Sequence, residues 1–169
     1  MDKTTIERIE LLHPAVREEA KEIYAEICER LTGRALCRFS FTLRTFAEQD
    51  ALYAQGRTTA GKIVTKAKGG QSWHNYGLAI DIVLLVDKDG NGSYETASWD
   101  TRSDFDNDKV ADWDEVVYVF GLYGWEWGGS WAKFPDAPHF QKTFGLTIAE
   151  AKKRYDAKQV IAGTNYIKI

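Results

Sequence analysis

A carboxylate in an apolar run is the first residue whose type suggests chemistry. Asp81 lies in the segment 77–86, and every neighbour for four residues on either side is apolar or glycine. Burying an ionised carboxylate without a partner is costly, so this environment predicts a cation beside Asp81. The cation could be an Arg or Lys side chain or a metal ion. A buried salt bridge is sufficient to explain Asp81 taken alone.

Two histidines are placed to share a metal ion with this carboxylate. His74 precedes Asp81 by seven residues across the turn-prone stretch 75–77, and His139 begins a predicted strand. Two imidazoles and one carboxylate make the three-ligand set that a catalytic zinc uses while one position stays open to water. Taken alone, His74 also fits a hydrogen-bonded structural histidine.

The other residues that could bind zinc have simpler interpretations. His13 stands beside Pro14 at a helix start and is predicted to be a solvated junction residue. Cys28 and Cys37 have neither a C-x-x-C spacing nor a secretory context. We expect both to be reduced core residues rather than a disulfide.

A second carboxylate supplies a candidate general base. Asp136 lies three residues before His139, on a turn that is predicted to face the same cleft. Zinc polarises a carbonyl and acidifies its bound water, and hydrolysis still needs a group that carries a proton to the leaving amine. Asp136 is the predicted base, and a turn-forming aspartate is the alternative.

Two spaced motifs resemble a known peptidase family. The segment from Ser72 to Asp81, SWHNYGLAID, is similar to the Ser-x-His-x-x-Gly-x-Ala-x-Asp motif of the zinc D-Ala-D-Ala carboxypeptidase and L-alanyl-D-glutamate peptidase family. The segment DAPH at 136–139 resembles its second motif. The resemblance implies zinc ligands at His74, Asp81 and His139, a base at Asp136, and substrate-pocket residues at Arg44, Gln49 and Ser72.

Arg44 has a chemical role that suits this resemblance. A guanidinium can bind a substrate carboxylate with two hydrogen bonds or stabilise an oxyanion as it forms. An ion pair at the surface or at a helix cap is the alternative for Arg44.

The resemblance predicts a zinc-dependent peptidoglycan endopeptidase that hydrolyses the L-alanyl-D-glutamate bond of stem peptides. Within the family, the chain resembles the phage and bacterial cell-wall endopeptidases that cut this bond, and we expect a phage or prophage endolysin. Two alternatives stay open. One is a D-Ala-D-Ala carboxypeptidase with a pocket closed around a terminal carboxylate, and the other is a non-catalytic binding module that keeps the metal.

Composition and charge argue against nucleic acid and membrane insertion. The 169 residues carry a net charge of −3, which supplies no basic field for nucleic acid. Residues 1–4 lack the apolar core of a signal peptide, and the apolar run 82–86 is too short to span a membrane. We therefore expect a monomer made in a host cytoplasm that reaches the cell wall after the membrane is permeabilised.

Periodicity predicts an α+β fold, a single domain over 1–169 in which helices flank a small, mostly antiparallel sheet beside a zinc-containing cleft. An apolar stripe predicts a helix between Pro14 and Gly33. Strands are predicted at 35–43, 78–86 and 138–144, with a turn at 87–92 and a mobile loop at 62–70. Capping boxes predict helix starts at Thr45–Glu48, Asp112–Glu115 and Thr147–Glu150. Most of the six tryptophans are predicted to be core residues.

An acidic segment before one of these helices matches a calcium loop of the EF-hand type. Carboxylates fall at positions one, three, five, nine and twelve of the loop, which are Asp104, Asp106, Asp108, Asp112 and Glu115. Position six is Lys109, where such a loop favours glycine. A solvated acidic loop is the alternative to bound Ca²⁺.

Overall fold

The structure is a computed structural model that describes residues 2–169. Within that range it has the predicted α+β architecture, with five α-helices and five strands. The helices are α1 Lys3–Ile9, α2 Arg17–Arg30, α3 Phe46–Ala54, α4 Asp112–Leu122 and α5 Ile148–Asp156. The strands are β1 Ala35–Phe41, β2 Ala79–Val86, β3 Thr96–Ser98, β4 Glu126–Trp127 and β5 His139–Gln141. Single 3₁₀ turns occupy Pro14–Val16, Trp73–Tyr76 and Gly128–Ser130.

The sheet is antiparallel at every pairing and is organised around β2. Its order is β1-β2-β5-β4, and β3 pairs with the far end of β2. The predicted antiparallel sheet is thus confirmed. Strand β1 ends at Phe41, earlier than predicted, because the backbone of Thr42 and Arg44 bonds to His74 instead of continuing the ladder.

Alternation along β2 separates a core face from a cleft face. Ile80, Ile82 and Leu84 belong to the buried core cluster, so Asp81 points to the opposite face of the sheet. In β5 the same period buries Phe140 and leaves His139 on the face of Asp81. Two strands therefore present polar side chains to one side without breaking the core.

Helices cover the core face. The predicted stripe on α2 is confirmed, since all of its members are buried: Val16, Ala20, Ile23, Tyr24, Ile27 and Leu31. The prediction that most tryptophans are core residues holds for two of the six, Trp113 of α4 and Trp125. Trp73 and Trp127 are half-buried against the core, Trp131 is half-buried, and Trp99 is exposed. The rings of Phe120 and Phe140 stack with centroids 4.1 Å apart. Within residues 2–169, no helix has both the length and the apolar character needed to cross a membrane.

The predicted helix starts are confirmed at two of three places. Thr45 and Thr147 each form a complete capping box. The box predicted at Asp112 is wrong, because Ala111 is the N-cap and Asp112 is already the first helical residue. Its carboxylate instead accepts a hydrogen bond of 2.9 Å from the backbone N–H of Phe105.

The prediction that His13 is solvated is also wrong. Its ring is buried, and Nε2 donates to the carbonyl oxygen of Ile167 at 2.8 Å while Nδ1 accepts from the N–H of Ala15. The C-terminal segment folds over this turn and shields it from water. Both cysteines are free, as predicted, and burial raises the pKa of each thiol.

Gly77 gives a test of how the turn before β2 is built. Its φ of 68° is left-handed, and an added Cβ would lie 2.7 Å from the backbone nitrogen of His13. Gly77→Ala should lower the free energy of unfolding by about 3 kcal/mol, because a clash adds to the left-handed strain. Gly90→Ala, with a φ of 76° and open space around it, should cost only about 1 kcal/mol in the same urea titration. Equal losses would contradict the clash.

Candidate metal centre and cleft

Three predicted ligands meet at one point of the cleft face. The β2–β5 register sets Asp81 directly opposite His139, and the turn Trp73–Tyr76 brings His74 over the end of β2. The Asp81 Oδ1 atom lies 3.1 Å from His74 Nε2 and 3.1 Å from His139 Nδ1. The two ring nitrogens are 3.2 Å apart.

The outer nitrogens of both rings are held by acceptors. His74 Nδ1 donates to the carbonyl oxygen of Thr42 at 2.6 Å, and His139 Nε2 donates to Gln141 Oε1 at 3.0 Å. In neutral imidazoles the inner nitrogens then carry lone pairs that face each other and the Asp81 carboxylate.

This donor set fits zinc. Three lone-pair donors so close together repel one another unless a cation lies between them. Their separations are near the edge of about 3.3 Å expected for a tetrahedron with bonds of 2.0–2.1 Å. An outer hydrogen bond on each histidine is also the usual support of a metal-bound imidazole.

Charge at this point favours a cation. Burial raises the pKa of Asp81, but the two histidines outweigh burial and lower it overall, so the carboxylate is ionised at neutral pH. Burial lowers the pKa of His139, and the hydrogen bond to Asp81 reverses that effect and leaves it raised. A proton and a metal ion therefore compete for the same nitrogens.

A network not predicted from the sequence orients His139. Gln141 Nε2 donates to Glu126 Oε2 at 3.0 Å, which turns the amide oxygen of Gln141 toward His139. The other Glu126 oxygen accepts from the indole N–H of Trp131, whose ring lies 5.4 Å from that of His139. Because side chains alternate along a strand, residues 139 and 141 of β5 lie on one face. This alternation is the feature of the sequence that could have predicted Gln141 beside His139.

The three ligands lie in the wall of a cleft of about 990 Å³. Segment 63–67, within the predicted loop 62–70, and segment 133–136 both line it. The Lys66 ammonium lies over the ring of Phe134 and connects the two segments. Loop 62–70 is irregular, as predicted, and its mobility stays a prediction.

Arg44 and Ser72 lie in the cleft wall, whereas Gln49 lies behind it. The Arg44 guanidinium stands 4.3 Å from the centre of the Phe41 ring and donates to Gln49 Oε1 at 2.9 Å. Burial lowers the pKa of Arg44, yet a guanidinium stays charged at neutral pH. Gln49 Nε2 donates to the carbonyl oxygen of Ala67 at 2.8 Å. The structure therefore places Gln49 where it positions Arg44 and the 65–67 wall, not at the predicted substrate contact.

Asp136 lies at the mouth of the same cleft. Its backbone N–H donates to the carbonyl oxygen of Gly128 at 3.0 Å, and its own carbonyl accepts from the N–H of His139 at 3.1 Å. Although the residue is exposed, partial desolvation by the cleft walls, together with the charge of Asp81, raises the pKa of its carboxyl group. A raised pKa makes Asp136 a better proton acceptor from water.

The five acidic side chains predicted to bind calcium form two overlapping clusters away from the cleft. Carboxylate oxygens of Asp104, Asp106 and Asp108 lie within 4.8 Å of one another, and so do those of Asp106, Asp112 and Glu115. None of the five lines the cleft wall.

Comparison with known proteins defines the class to which this fold and site belong. A sequence profile described as D-alanyl-D-alanine carboxypeptidase matches residues 65–142, which include His74, Asp81, Asp136 and His139. The peptidoglycan L-alanyl-D-glutamate endopeptidase CwlK of Bacillus subtilis (strain 168) is 42% identical over 130 residues, which cover 77% of this chain and 72% of the relative. The chain belongs to this family of metallopeptidases, whose members depend on zinc.

A solved structure shows the same fold. The L-Ala D-Glu endopeptidase ChiX of Serratia marcescens superposes with a TM-score of 0.53 at 20% sequence identity. The match covers 85% of this chain and 90% of that one.

The metal centre predicts one zinc ion per chain. His74→Ala, Asp81→Ala and His139→Ala should each reduce zinc in the purified protein to near zero, because three protein ligands leave none to spare. Metal analysis by mass spectrometry measures this directly. Ser72→Ala, a change in the same cleft outside the ligand set, should keep one zinc. Full occupancy in the His139→Ala protein would contradict the assignment.

The Gln141 network predicts a smaller effect on the same metal. Gln141→Met keeps the length of the side chain and removes the oxygen that accepts from His139. Zinc affinity should fall by about 10- to 100-fold in a chelator competition, in line with the loss of other outer contacts of metal-bound histidines. An unchanged affinity would mean that the hydrogen bond to His139 does not support the metal.

Proposed function

We propose that this chain is a zinc-dependent endopeptidase that hydrolyses the L-alanyl-D-glutamate bond of peptidoglycan stem peptides. The observation that carries the proposal is the convergence of His74, Asp81 and His139 in a cleft that also contains Asp136. The identity with a relative named for that activity supports the choice of bond.

Bound zinc and Asp136 would have separate roles in the hydrolysis. Bound zinc would supply Lewis acidity that polarises the scissile carbonyl and makes water a stronger acid. Asp136 accepts a proton from the attacking water and delivers it to the leaving amine, a role that its position at the cleft mouth and its raised pKa support. Gly128 lets the backbone of Asp136 approach closely, since an added Cβ there would lie 2.7 Å from the backbone carbonyl oxygen of Asp136.

Arg44 contributes positive charge to the cleft wall, as do Lys66 and Lys133. Phe41 and Gln49 fix its guanidinium before substrate arrives, so little side-chain entropy is lost on binding. We propose that Arg44 binds the stem-peptide carboxylate or the developing oxyanion, and that Ser72 contacts the peptide beside it.

The two alternatives to the endopeptidase are a D-Ala-D-Ala carboxypeptidase and a non-catalytic binding module. The description of the matching family profile favours a D-Ala-D-Ala carboxypeptidase. A cleft of about 990 Å³ has room for peptide on both sides of the scissile bond and favours the endopeptidase. A non-catalytic binding module would have no need for a carboxylate at position 136.

The setting of the reaction belongs to the same proposal. The substrate proposed for the cleft is in the cell wall, and residues 1–169 would act as one peptidase domain and as a monomer. Production in a host cytoplasm and passage through a permeabilised membrane, as for an endolysin, stay predictions.

Asp136→Asn separates chemistry from metal binding. The amide keeps the shape of the side chain and cannot accept the proton, so turnover of purified muropeptides should fall by about 100-fold or more with zinc retained. Mass spectrometry of the products identifies the bond that is cut.

Two results would contradict the proposal. Release of terminal D-Ala from muropeptides whose L-Ala to D-Glu bond stays intact would establish the carboxypeptidase. Near-normal turnover by the zinc-loaded Asp136→Asn protein would make Asp136 a turn residue.

A further inference from the structure

A buried carboxylate outside the cleft lacks a partner. Glu115 lies in the first turn of α4 with 8% of its surface exposed, and its Oε2 atom is buried without a hydrogen-bond partner within residues 2–169. Buried carboxylate oxygens are almost always hydrogen-bonded, paired with a cation or bound to a metal. The family activity makes no use of Glu115, so this oxygen calls for a separate explanation.

Other carboxylates lie close to Glu115. Oxygens of Asp106 and Asp112 lie within 4.8 Å of its own, and Asp106 is equally close to Asp104 and Asp108. Burial and the charges of Asp108, Asp106 and Asp112 raise the pKa of Glu115 to about 7. Arg30 of α2 acts in the opposite direction and is outweighed. The cluster is therefore short of positive charge.

The backbone of the loop holds the carboxylate of Asp104. The N–H of Lys109 donates to Asp104 Oδ2 at 3.0 Å, and the N–H of Asn107 donates to Asp104 Oδ1 at 2.6 Å. Lys109 has a φ of 80°, the left-handed conformation for which a calcium loop selects glycine at its sixth position. Helix α4 begins at position nine and supplies the glutamate of position twelve from its first turn.

We propose that the loop 104–115 binds one calcium ion. Asp106, Asp112 and Glu115, whose carboxylate oxygens lie within 4.8 Å of one another, would hold it, with Asp104 and Asp108 joined to that set through Asp106. A hard divalent cation suits an all-oxygen site of this charge, whereas the zinc centre offers two nitrogens. Proton uptake by Glu115 is the competing way to relieve the repulsion.

Bound calcium would stabilise the fold rather than join the chemistry. The Asp106 carboxylate also accepts from the N–H and hydroxyl of Thr32, in the turn between α2 and β1. An added Cβ at Gly33 would lie 2.3 Å from Asp106 Cβ, so the acidic loop and that turn are in close contact. A cation here would connect this turn to the start of α4.

Calorimetric titration of the zinc-loaded protein with CaCl₂, in buffer stripped of calcium with a resin, tests the proposal. We expect one calcium ion per chain with a Kd of about 10⁻³ M or lower. At a free concentration of 100 times Kd, the Tm should rise by about 5–10 °C. Absence of both heat and Tm shift at 10 mM CaCl₂ would overturn the site.

The pH dependence distinguishes calcium from a proton. Glu115 has an ordinary pKa of 4.5 when unfolded, so its raised value in the fold makes the calcium-free protein lose stability as pH rises from 4.5 to about 7. Calcium should reduce that loss and bind more tightly at pH 8 than at pH 6. Loss of stability over this range that calcium leaves unchanged would show a proton-linked cluster only and contradict the proposal.

Substitutions in the loop test whether the heat of calcium binding comes from this site. Glu115→Gln and, at an exposed part of the loop, Asp108→Asn should each weaken calcium binding by about tenfold or more. Glu115→Gln should also keep or raise the Tm in calcium-free buffer at pH 8, because it removes repulsion. Asp89→Asn, in the exposed acidic turn 87–92, is the matched control and should leave binding unchanged. If only the control loses binding, the proposed location is wrong.

Discussion

The pairing of β2 with β5 is the constraint on which the site depends. Its antiparallel register places Asp81 opposite His139, and a slip of one residue would turn one of the two side chains into the core. The apolar residues that alternate with them hold the register, since Ile80 and Phe140 are fully buried. One face of the β2–β5 pair therefore packs into the core, and the opposite face carries the metal ligands.

Other contacts orient the two imidazole rings, which the strand pairing alone does not fix. The 3₁₀ turn with Gly77 at its end sets His74 over β2, and the early end of β1 leaves the Thr42 carbonyl to hold that ring. On the other side, Gln141 and Glu126 hold His139. Because each imidazole has its outer N–H occupied, both inner lone pairs are presented before a metal arrives, which reduces the cost of binding it.

The features that the sequence predicts well are those that depend on near neighbours. The cost of burying Asp81 can be read from the apolar residues beside it, and the same holds for the stripe of α2 and the capping boxes at Thr45 and Thr147. The failures depend on distant contacts. The burial of His13 requires a C-terminal segment 154 residues away, and the Gln141 network requires β4 to pair with β5. At Asp112 the sequence has the pattern of a capping box, but the carboxylate accepts a hydrogen bond from the backbone N–H of Phe105 in the preceding loop.

Zinc K-edge X-ray absorption of the zinc-loaded wild-type protein tests this ligand set, because it reports the atoms that surround the metal. Two histidines and one aspartate predict a shell of nitrogen and oxygen atoms at about 2.0–2.1 Å, with the outer scattering of two imidazoles and no sulfur. Sulfur at about 2.3 Å, or a shell without two imidazoles, would contradict a zinc centre made of His74, Asp81 and His139.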